Sequence, residues 1–446
     1  MSPVPLLGHP SLDDIFAWRP DGPVSVRRFL ADAHALSSLL PPGQHLLNVC
    51  QDRYHFAVGF AAGLLDSRIS LQPASQSATT LRDIRTQAPD LCCLCDAPFA
   101  SLDLPRLDFP AQLTADPAAI NEIPVIAADQ VAARLFTSGS TGTPMAHDKT
   151  WGKLVHNGRA EAERLGLTRR PHTIVGTVPV QHAFGFESTF LLALHGNSPF
   201  WAGKPFYPQD IVTALEAVPQ PRLLVTTPFH LSSLLATDIP LPAIDLLLSA
   251  TAPLSVELAA RAEQRCNAPL LEIFGSTETF QIATRRPTTD PVWQLYPGVC
   301  LRQEDDLTMA SGAHLEDEIT LSDLVELLPG DRFKLHGRHA DLVNIAGKRT
   351  SLAYLNHQAT AIPGVIDAAF FLPEETADGV TRLCAFIVAP ELDTRRVQAA
   401  LRERIDAIFL PRPLVLVDTL PRNSTGKLPR ADLQALYADK VTHGRT

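Results

Sequence analysis

Short apolar runs rich in Val, Ile and Leu alternate with amphipathic stretches along most of the chain. The segment "PPGQHLLNVCQDRYHFAVGFAAGLLDSRISLQP" reads as strand, turn, helix, strand. The same alternation recurs at "PHTIVGTVPV", at "PRLLVTTPFHLSSLLAT" and at "LPAIDLLLSATAPLSVELAARAEQRCNAPLLEIFG". Apolar runs separated by helical patterns predict βαβ units and mainly parallel sheets, because parallel strands are covered on both faces. Between Pro89 and Pro98 the chain is apolar apart from Asp90 and Asp96, which predicts a buried strand through Cys92, Cys93 and Cys95. Beyond "LHGRHADLVNIAGKR" the pattern changes to "GVIDAAFFLP", "TRLCAFIVAP" and a helix at "TRRVQAALRERI". The fold class expected is therefore α/β. A large N-terminal lobe, residues 1–338, carries mainly parallel sheets flanked by helices, and a smaller α+β lobe spans residues 339–446.

At 446 residues the chain is too long for one ordinary core, which agrees with two lobes. A net charge of −10 argues against a nucleic-acid partner, which selects a basic face. The charge is unevenly spread. From residue 338 onward there are 14 Lys and Arg against 12 Asp and Glu, leaving 24 against 36 for the rest. Seven cysteines, an odd number, do not suggest a secreted disulfide framework. The CC and CxC spacings without a second Cys/His cluster do not give a four-ligand zinc site. "MSPVPLLGHPSLDDIF" lacks a basic segment leading into an apolar run, and no run of 18 apolar residues follows. A cytoplasmic protein without a membrane span is expected.

The most pronounced local signal is "LFTSGSTGTPMAHDKTW". After Leu135 and Phe136 come Thr137, Ser138, Gly139, Ser140, Thr141 and Gly142, a loop whose glycines let several N–H groups converge on one anion. The hydroxyls add neutral donors, which suits a polyphosphate. GxxxxGK[ST] is absent, so this is not a P-loop. Four further segments follow in order: Gly275-Ser276-Thr277-Glu278 after an apolar strand, Asp323 with Gly337-Arg338 at an offset of 14, Gly347-Lys348-Arg349, and Gly426-Lys427 before Arg430.

As an ordered set, these segments resemble the acyl-adenylate-forming superfamily: acyl-CoA synthetases, peptide-synthetase adenylation domains and luciferases. The resemblance runs from about residue 130 to 435. "NVCQDRYHFAVGFAAGLL" further looks like the compact aryl acid:acyl carrier protein ligases of aryl-polyene pigment pathways. The resemblance implies ATP and Mg²⁺ as cofactors, with Thr137 to Gly142 over the phosphates. It also implies Thr277 on the α-phosphate, Glu278 on the metal, and Asp323 with Arg338 at the ribose. Adenine would lie between Ala250, Thr251 and Ala252 on one side and Phe274 and Gly275 on the other. Lys427 would bridge the substrate carboxylate and the α-phosphate. Gly347 and Lys348 would line the tunnel for the thiol. The physical logic agrees: a carboxylate attacking a phosphate brings two anions together, so cations belong where charge accumulates. Asp331 is a rival for the ribose, but the offset to Gly337-Arg338 selects Asp323.

In "VPVQHAFGFEST", His182 stands where amino-acid-activating relatives carry an Asp for the substrate ammonium. Together with Phe184, Phe186 and Phe229 it forms the candidate pocket for a small carboxylic acid, although each aromatic is as readily a core residue. Three departures stand out. The lysine expected after the loop proline is Met145, with Lys149 and Lys153 four and eight positions on. The charged hinge residue is Ala340, with Asp341 next, and only 45 residues separate Glu278 from Asp323. The resemblance implies an acid–thiol ligase. The reading is an aromatic, hydroxybenzoate-like acid delivered to an acyl carrier protein. The alternatives are delivery to coenzyme A, or a nucleotide-binding homologue without turnover.

Overall fold

The computed structural model describes residues 2–73, 76–99, 103–138, 144–305, 307–338, 342–345, 348–373, 382–422 and 428–442. These form two compact units: residues 1–250 with 256–301 and 310–319, and residues 251–255 with 302–309 and 320–446.

The first unit contains a sheet in the order Pro144–Thr150, Val131–Ser138, Ile69–Gln72, His45–Asn48, Cys92–Cys95, Arg106–Asp108. Its strands are parallel except for the first pair, an antiparallel hairpin. The predicted cysteine strand is present and buried throughout. Cys92 faces one core and Cys93 and Cys95 another, which is why the run is apolar without alternation.

A second sheet of this unit has the parallel strands Phe200–Trp201, Thr173–Gly176, Arg222–Thr226, Leu246–Ser249 and Leu270–Ser276, in that order. The last then turns back into the antiparallel strand Phe280–Arg285. Helix Arg53–Leu65 is apolar almost all round, as expected of a helix with no solvent face. Its Phe56 and Phe60 join Leu46 of one sheet and Leu223 and Leu248 of the other in a single core. Arg53 opens this helix and is buried. It donates to the carbonyls of Gly203, of Gly176 at 2.6 Å and of Val178 at 2.9 Å, so one guanidinium satisfies three carbonyls. Burial lowers its pKa to about 10.

The second unit holds two hairpins, Asp323–Leu328 with Arg332–Arg338 and Leu342–Ile345 with Lys348–Ser351. It also holds a sheet of Asp367–Phe371, Cys384–Val388 and Leu414–Leu416. Alternate residues of that sheet face different cores. Ala368, Phe370, Ala385 and Ile387 pack with Leu355, Val397 and Leu401, while Ala369, Phe371 and Phe386 pack with Leu433. Among the described residues, no helix is long and apolar enough to cross a membrane.

Two predictions follow from the buried polar groups of the first unit. Arg53→Met should strand three carbonyls and destabilise the protein by at least about 3 kcal/mol, at 1–3 kcal/mol per unsatisfied buried group. Urea unfolding showing wild-type stability would contradict this reading of Arg53. The second concerns pH. Burial raises the pKa of fully buried Glu161 to about 8, with Ser188 and Gln281 offsetting part of the effect. The folded state then keeps a proton that the unfolded chain loses near 4.5, so stability falls as pH rises from about 4.5 to 8, by about 1.4 kcal/mol per unit. Buried His9 and His195 are pushed down to about 4 and about 3. They act in the opposite sense: below about pH 6.5 the unfolded chain takes up protons that the fold refuses. Thermal unfolding should be most favourable to the fold near about pH 6.5. Buried Glu187, its pKa also raised, adds to the same limb, so Glu161→Gln should make the alkaline limb shallower without abolishing it, and an unchanged limb would rule out this assignment.

Candidate active site

Parallel α/β sheets place ligands at the carboxyl ends of their strands, where the chain turns outward. In the second sheet Leu246–Ser249 and Leu270–Ser276 are hydrogen-bonded neighbours, with Ser249 level with Glu272. Ala250 therefore leaves the sheet beside the strand that delivers Phe274 and Gly275. Gly275 sits at an irregularity in the pairing with Phe280–Arg285, and a Cβ there would meet the Phe280 carbonyl oxygen at 2.1 Å. Only glycine fits this close approach. Thr277 and Glu278 occupy the turn that follows, both partly exposed. The turn is closed by Ser276 N–H donating to Thr279 Oγ1 at 3.0 Å and Thr279 N–H donating to Ser276 Oγ at 3.2 Å. Phe280, which ends it, has φ +59°, a left-handed backbone unusual for an aromatic residue.

The hairpin Val131–Ser138 and Pro144–Thr150 lies against this turn. Ser138 is opposite Pro144 and Thr137 opposite Met145. Gly139, Ser140, Thr141 and Gly142 lie outside the described residues. Thr137 Oγ1 is 2.9 Å from His147 Nε2, and the same nitrogen is 3.9 Å from Glu278 Oε1. Burial lowers the His147 pKa, with Glu278 opposing. Arg134 and Asp148 pair across the hairpin through bonds of 2.5 and 2.9 Å. Met145 is exposed. Lys149 is buried, donates to the Glu278 carbonyl at 2.6 Å, and lies 4.3 Å from the Phe280 ring centroid. Lys153 instead donates to the carbonyl of Ala313 at 2.9 Å. Neither lysine is seen to take the part of the missing loop cation.

The candidate acid pocket is divided by the structure. His182 caps the short helix Ala183–Gly185, its Nδ1 accepting from Phe184 N–H at 3.3 Å. Phe184 is buried, and Phe186 begins the π-helical stretch Phe186–Leu191. Phe186 is fully buried, 5.4 Å from Phe60 and 5.5 Å from Phe190 between ring centroids. Phe229 is 44% exposed, its ring against His230. Of the three aromatics, Phe186 and Phe184 both pack into the core, Phe186 completely and Phe184 nearly so. Glu187, next to it, was not singled out by sequence. Its Oε2 accepts from Gln281 N–H at 2.8 Å, and burial raises its pKa well above the carboxylate range.

In the second unit Thr251 has φ +81°, an outlier for a β-branched residue, with Ala252 following. Asp323 is the register partner of Arg338 at the open end of its hairpin, whereas Asp331 lies at the turn. Gly337 has φ +127°. Lys348 is opposite Ile345 at the tip of the next hairpin. Gly347, Ala340, Asp341 and Lys427 lie outside the described residues. The chain before Lys427 is clamped by Arg422, whose two bonds to Asp367 are both 2.7 Å. After it, Arg430 donates to the Leu372 carbonyl at 3.3 Å.

Residues 44–307 match the family model described as AMP-binding enzyme, and residues 357–427 match that of the AMP-binding enzyme C-terminal domain. A 4-coumarate–CoA ligase from Halorhodospira halophila is 30% identical over 305 residues, 66% of this chain and 73% of that protein. Among solved structures, ATP-bound MatB from Rhodopseudomonas palustris matches with a TM-score of 0.81 at 19% identity, over 96% of this chain and 97% of that one. The o-succinylbenzoate CoA synthetase from Bacillus subtilis, in complex with its acyl-adenylate intermediate, gives 0.82 at 18% identity, over 97% and 99%. The last two share the fold. The chain belongs to the AMP-binding enzyme family, the acyl-adenylate-forming superfamily, and is an AMP-forming carboxylic acid–thiol ligase.

Proposed function

We propose that this ligase adenylates a small aromatic acid of the hydroxybenzoate type with ATP and Mg²⁺, then passes the acyl group to an acyl carrier protein. The observation that supports the adenylation reading best is the meeting of Thr137, His147 and Glu278 at one point between the hairpin and the turn. The oxygens there, Thr137 hydroxyl and Glu278 carboxylate, are hard donors that suit Mg²⁺, with the His147 imidazole between them. No group of three metal-ligating side chains occurs among the described residues. A single carboxylate whose shell is completed by phosphate oxygens and water fits that setting. Bound there, the cation would neutralise charge on the transferring phosphate.

In this reading Thr137 to Gly142 hold the β- and γ-phosphates through N–H and hydroxyl donors, and Thr277 holds the α-phosphate. Ala250, Thr251, Ala252, Phe274 and Gly275 frame the adenine, and Asp323 accepts the ribose hydroxyls beside Arg338. Lys427 bridges the substrate carboxylate and the α-phosphate. Gly347 and Lys348 serve the thiol step, residues 339–446 forming the part that exchanges roles between the two half-reactions. His182, Phe184 and Phe229 are the candidates for the acid pocket. His182 supplies no carboxylate for an α-ammonium, and burying that charge without a partner is costly, so amino acids are disfavoured. An aryl acid also fits the 4-coumarate–CoA ligase relative.

That relative's name equally favours a second reading, in which coenzyme A is the acceptor. The charge distribution supports a carrier protein: residues 338–446 carry 14 basic against 12 acidic side chains in a chain of net −10, and carrier proteins are acidic. The comparison to make is acyl transfer from hydroxybenzoate to a holo-carrier protein and to coenzyme A under matched conditions, at low and high salt. Faster transfer to the carrier, weakened by salt, is expected. Preference for coenzyme A, or for octanoate over hydroxybenzoate, rejects this acceptor or acid and leaves the ligase itself untouched.

Lys427 gives the test of the two half-reactions. Lys427→Ala should slow ATP–pyrophosphate exchange by about 10²–10³, equivalent to about 3–4 kcal/mol of transition-state stabilisation. Thioester formation from preformed acyl-adenylate should lose far less. Equal losses in both would show that Lys427 is not specific to adenylation.

A further inference from the structure

The turn carrying Thr277 and Glu278 must aim a carboxylate at a point defined by a different element, the hairpin bearing Thr137. Local bonds between Ser276 and Thr279 close the turn but do not orient it. The link between the two elements comes from the strand Pro144–Thr150. Met145, His147 and Lys149 alternate along it and share a face. His147 meets Thr137 and faces the Glu278 carboxylate, and Lys149 lies beneath, its Nζ donating to the Glu278 carbonyl at 2.6 Å.

A lysine is a costly way to fill that space. Its side chain is 3% exposed, and desolvation lowers its pKa, while Glu187, Glu316 and Glu278 raise it. The Phe280 ring at 4.3 Å and the Glu278 carbonyl stabilise the ammonium further. Glu316 is itself fixed, accepting from Thr150 N–H at 2.7 Å and Thr150 Oγ1 at 2.9 Å. An apolar side chain of similar volume would fill the site without any desolvation cost. What it could not do is hold a carbonyl in a set direction.

We infer that Lys149 is a positioning residue for adenylation: by fixing the Glu278 carbonyl it sets the Glu278 carboxylate against His147 and Thr137. Lys149 thereby acts from behind the site, through the backbone, whereas the family lysine at the Met145 position would act in front of it. The inference rests on the proposed metal role of Glu278 and adds to it a cation that touches neither substrate nor metal.

The test compares Lys149→Met with Glu278→Gln in the full-length enzyme. Binding of Mg²⁺-ATP is followed by titration calorimetry, turnover by ATP–pyrophosphate exchange and acyl transfer from preformed acyl-adenylate, and folding by ligand-free thermal unfolding. Misplacing a reacting group by about 1 Å costs on the order of 10² in rate, so Lys149→Met should lower exchange by about that factor. It should also weaken Mg²⁺-ATP binding by about tenfold, with unfolding temperature and acyl transfer close to wild type. If Lys149→Met does not fold, Lys149→Gln, whose uncharged amide is too short to reach the carbonyl, replaces it with the same expected losses. Wild-type Mg²⁺-ATP binding in the lysine variant, or an equal loss of stability and of both half-reactions, overturns the inference. Glu278→Gln separates the two claims. If it too binds Mg²⁺-ATP normally, the metal role of Glu278 fails. If it binds weakly while the lysine variant is normal, only the role of Lys149 fails.

Discussion

Adenylation forces two anions together, and this repulsion is the constraint around which the site is arranged. A carboxylate must approach a triphosphate inside a protein that is itself acidic, with a net charge of −10. Positive charge therefore has to be placed deliberately, and each placement has a desolvation cost that partners must offset. In the first unit the placement is indirect. The buried ammonium of Lys149 is spent on a carbonyl, an aromatic face and surrounding carboxylates. It leaves the Glu278 carboxylate partly exposed and available to a cation that arrives with the nucleotide.

Behind this arrangement lies a polar layer that links the acid-binding candidates to the phosphate turn. Glu187 directly follows Phe186, and it accepts from the backbone of Gln281, three residues after Glu278. Gln281 in turn donates to Ser188 at 2.6 Å and accepts from Tyr296 at 3.0 Å. Within the π-helical stretch Phe186–Leu191, the neighbours Glu187 and Ser188 both bond to Gln281. Burial disfavours charge on both Glu161 and Glu187 behind the site, and their bonds to Ser188 and Gln281 oppose this only in part.

Much of the fold was legible because burial leaves a direct trace in sequence. Parallel strands covered on both faces read as unbroken apolar runs, and the Cys92–Cys95 strand is the clearest example. Thr137, Thr277, Glu278 and Asp323 are proposed from residue type and order alone, and of these the structure brings Thr137 and Glu278 together through His147. The aromatic pocket was not legible. Phe184 and Phe186 are two residues apart on a short, irregular helix and both enter the core, which composition cannot tell from a pocket wall. His147 and Lys149 were missed as a pair for a different reason. Read as a position downstream of a loop, Lys149 is only a cation four residues after Met145, and His147 draws no notice. Read as alternate residues of a strand, Met145, His147 and Lys149 would have been placed on one face at once.

That alternation also explains why the loss of a lysine at Met145 is tolerable. Met145 is 57% exposed, so a cation there would sit in water, where its pull on a phosphate is weakened by solvent and by salt. Four residues further along the same face, Lys149 is buried, where an ionic hydrogen bond is worth more and varies little with salt. On the proposed metal role of Glu278, moving the cation inward would exchange a direct but screened attraction for geometric control of that side chain. On the proposed nucleotide role, contact with the phosphates would fall to N–H groups and hydroxyls from Thr137 onward, which need no charge if their dipoles are already oriented. In such a site the limiting property is the rigidity of the junction between hairpin and turn, and Lys149, Glu187 and the Ser276–Thr279 bonds all bear on it.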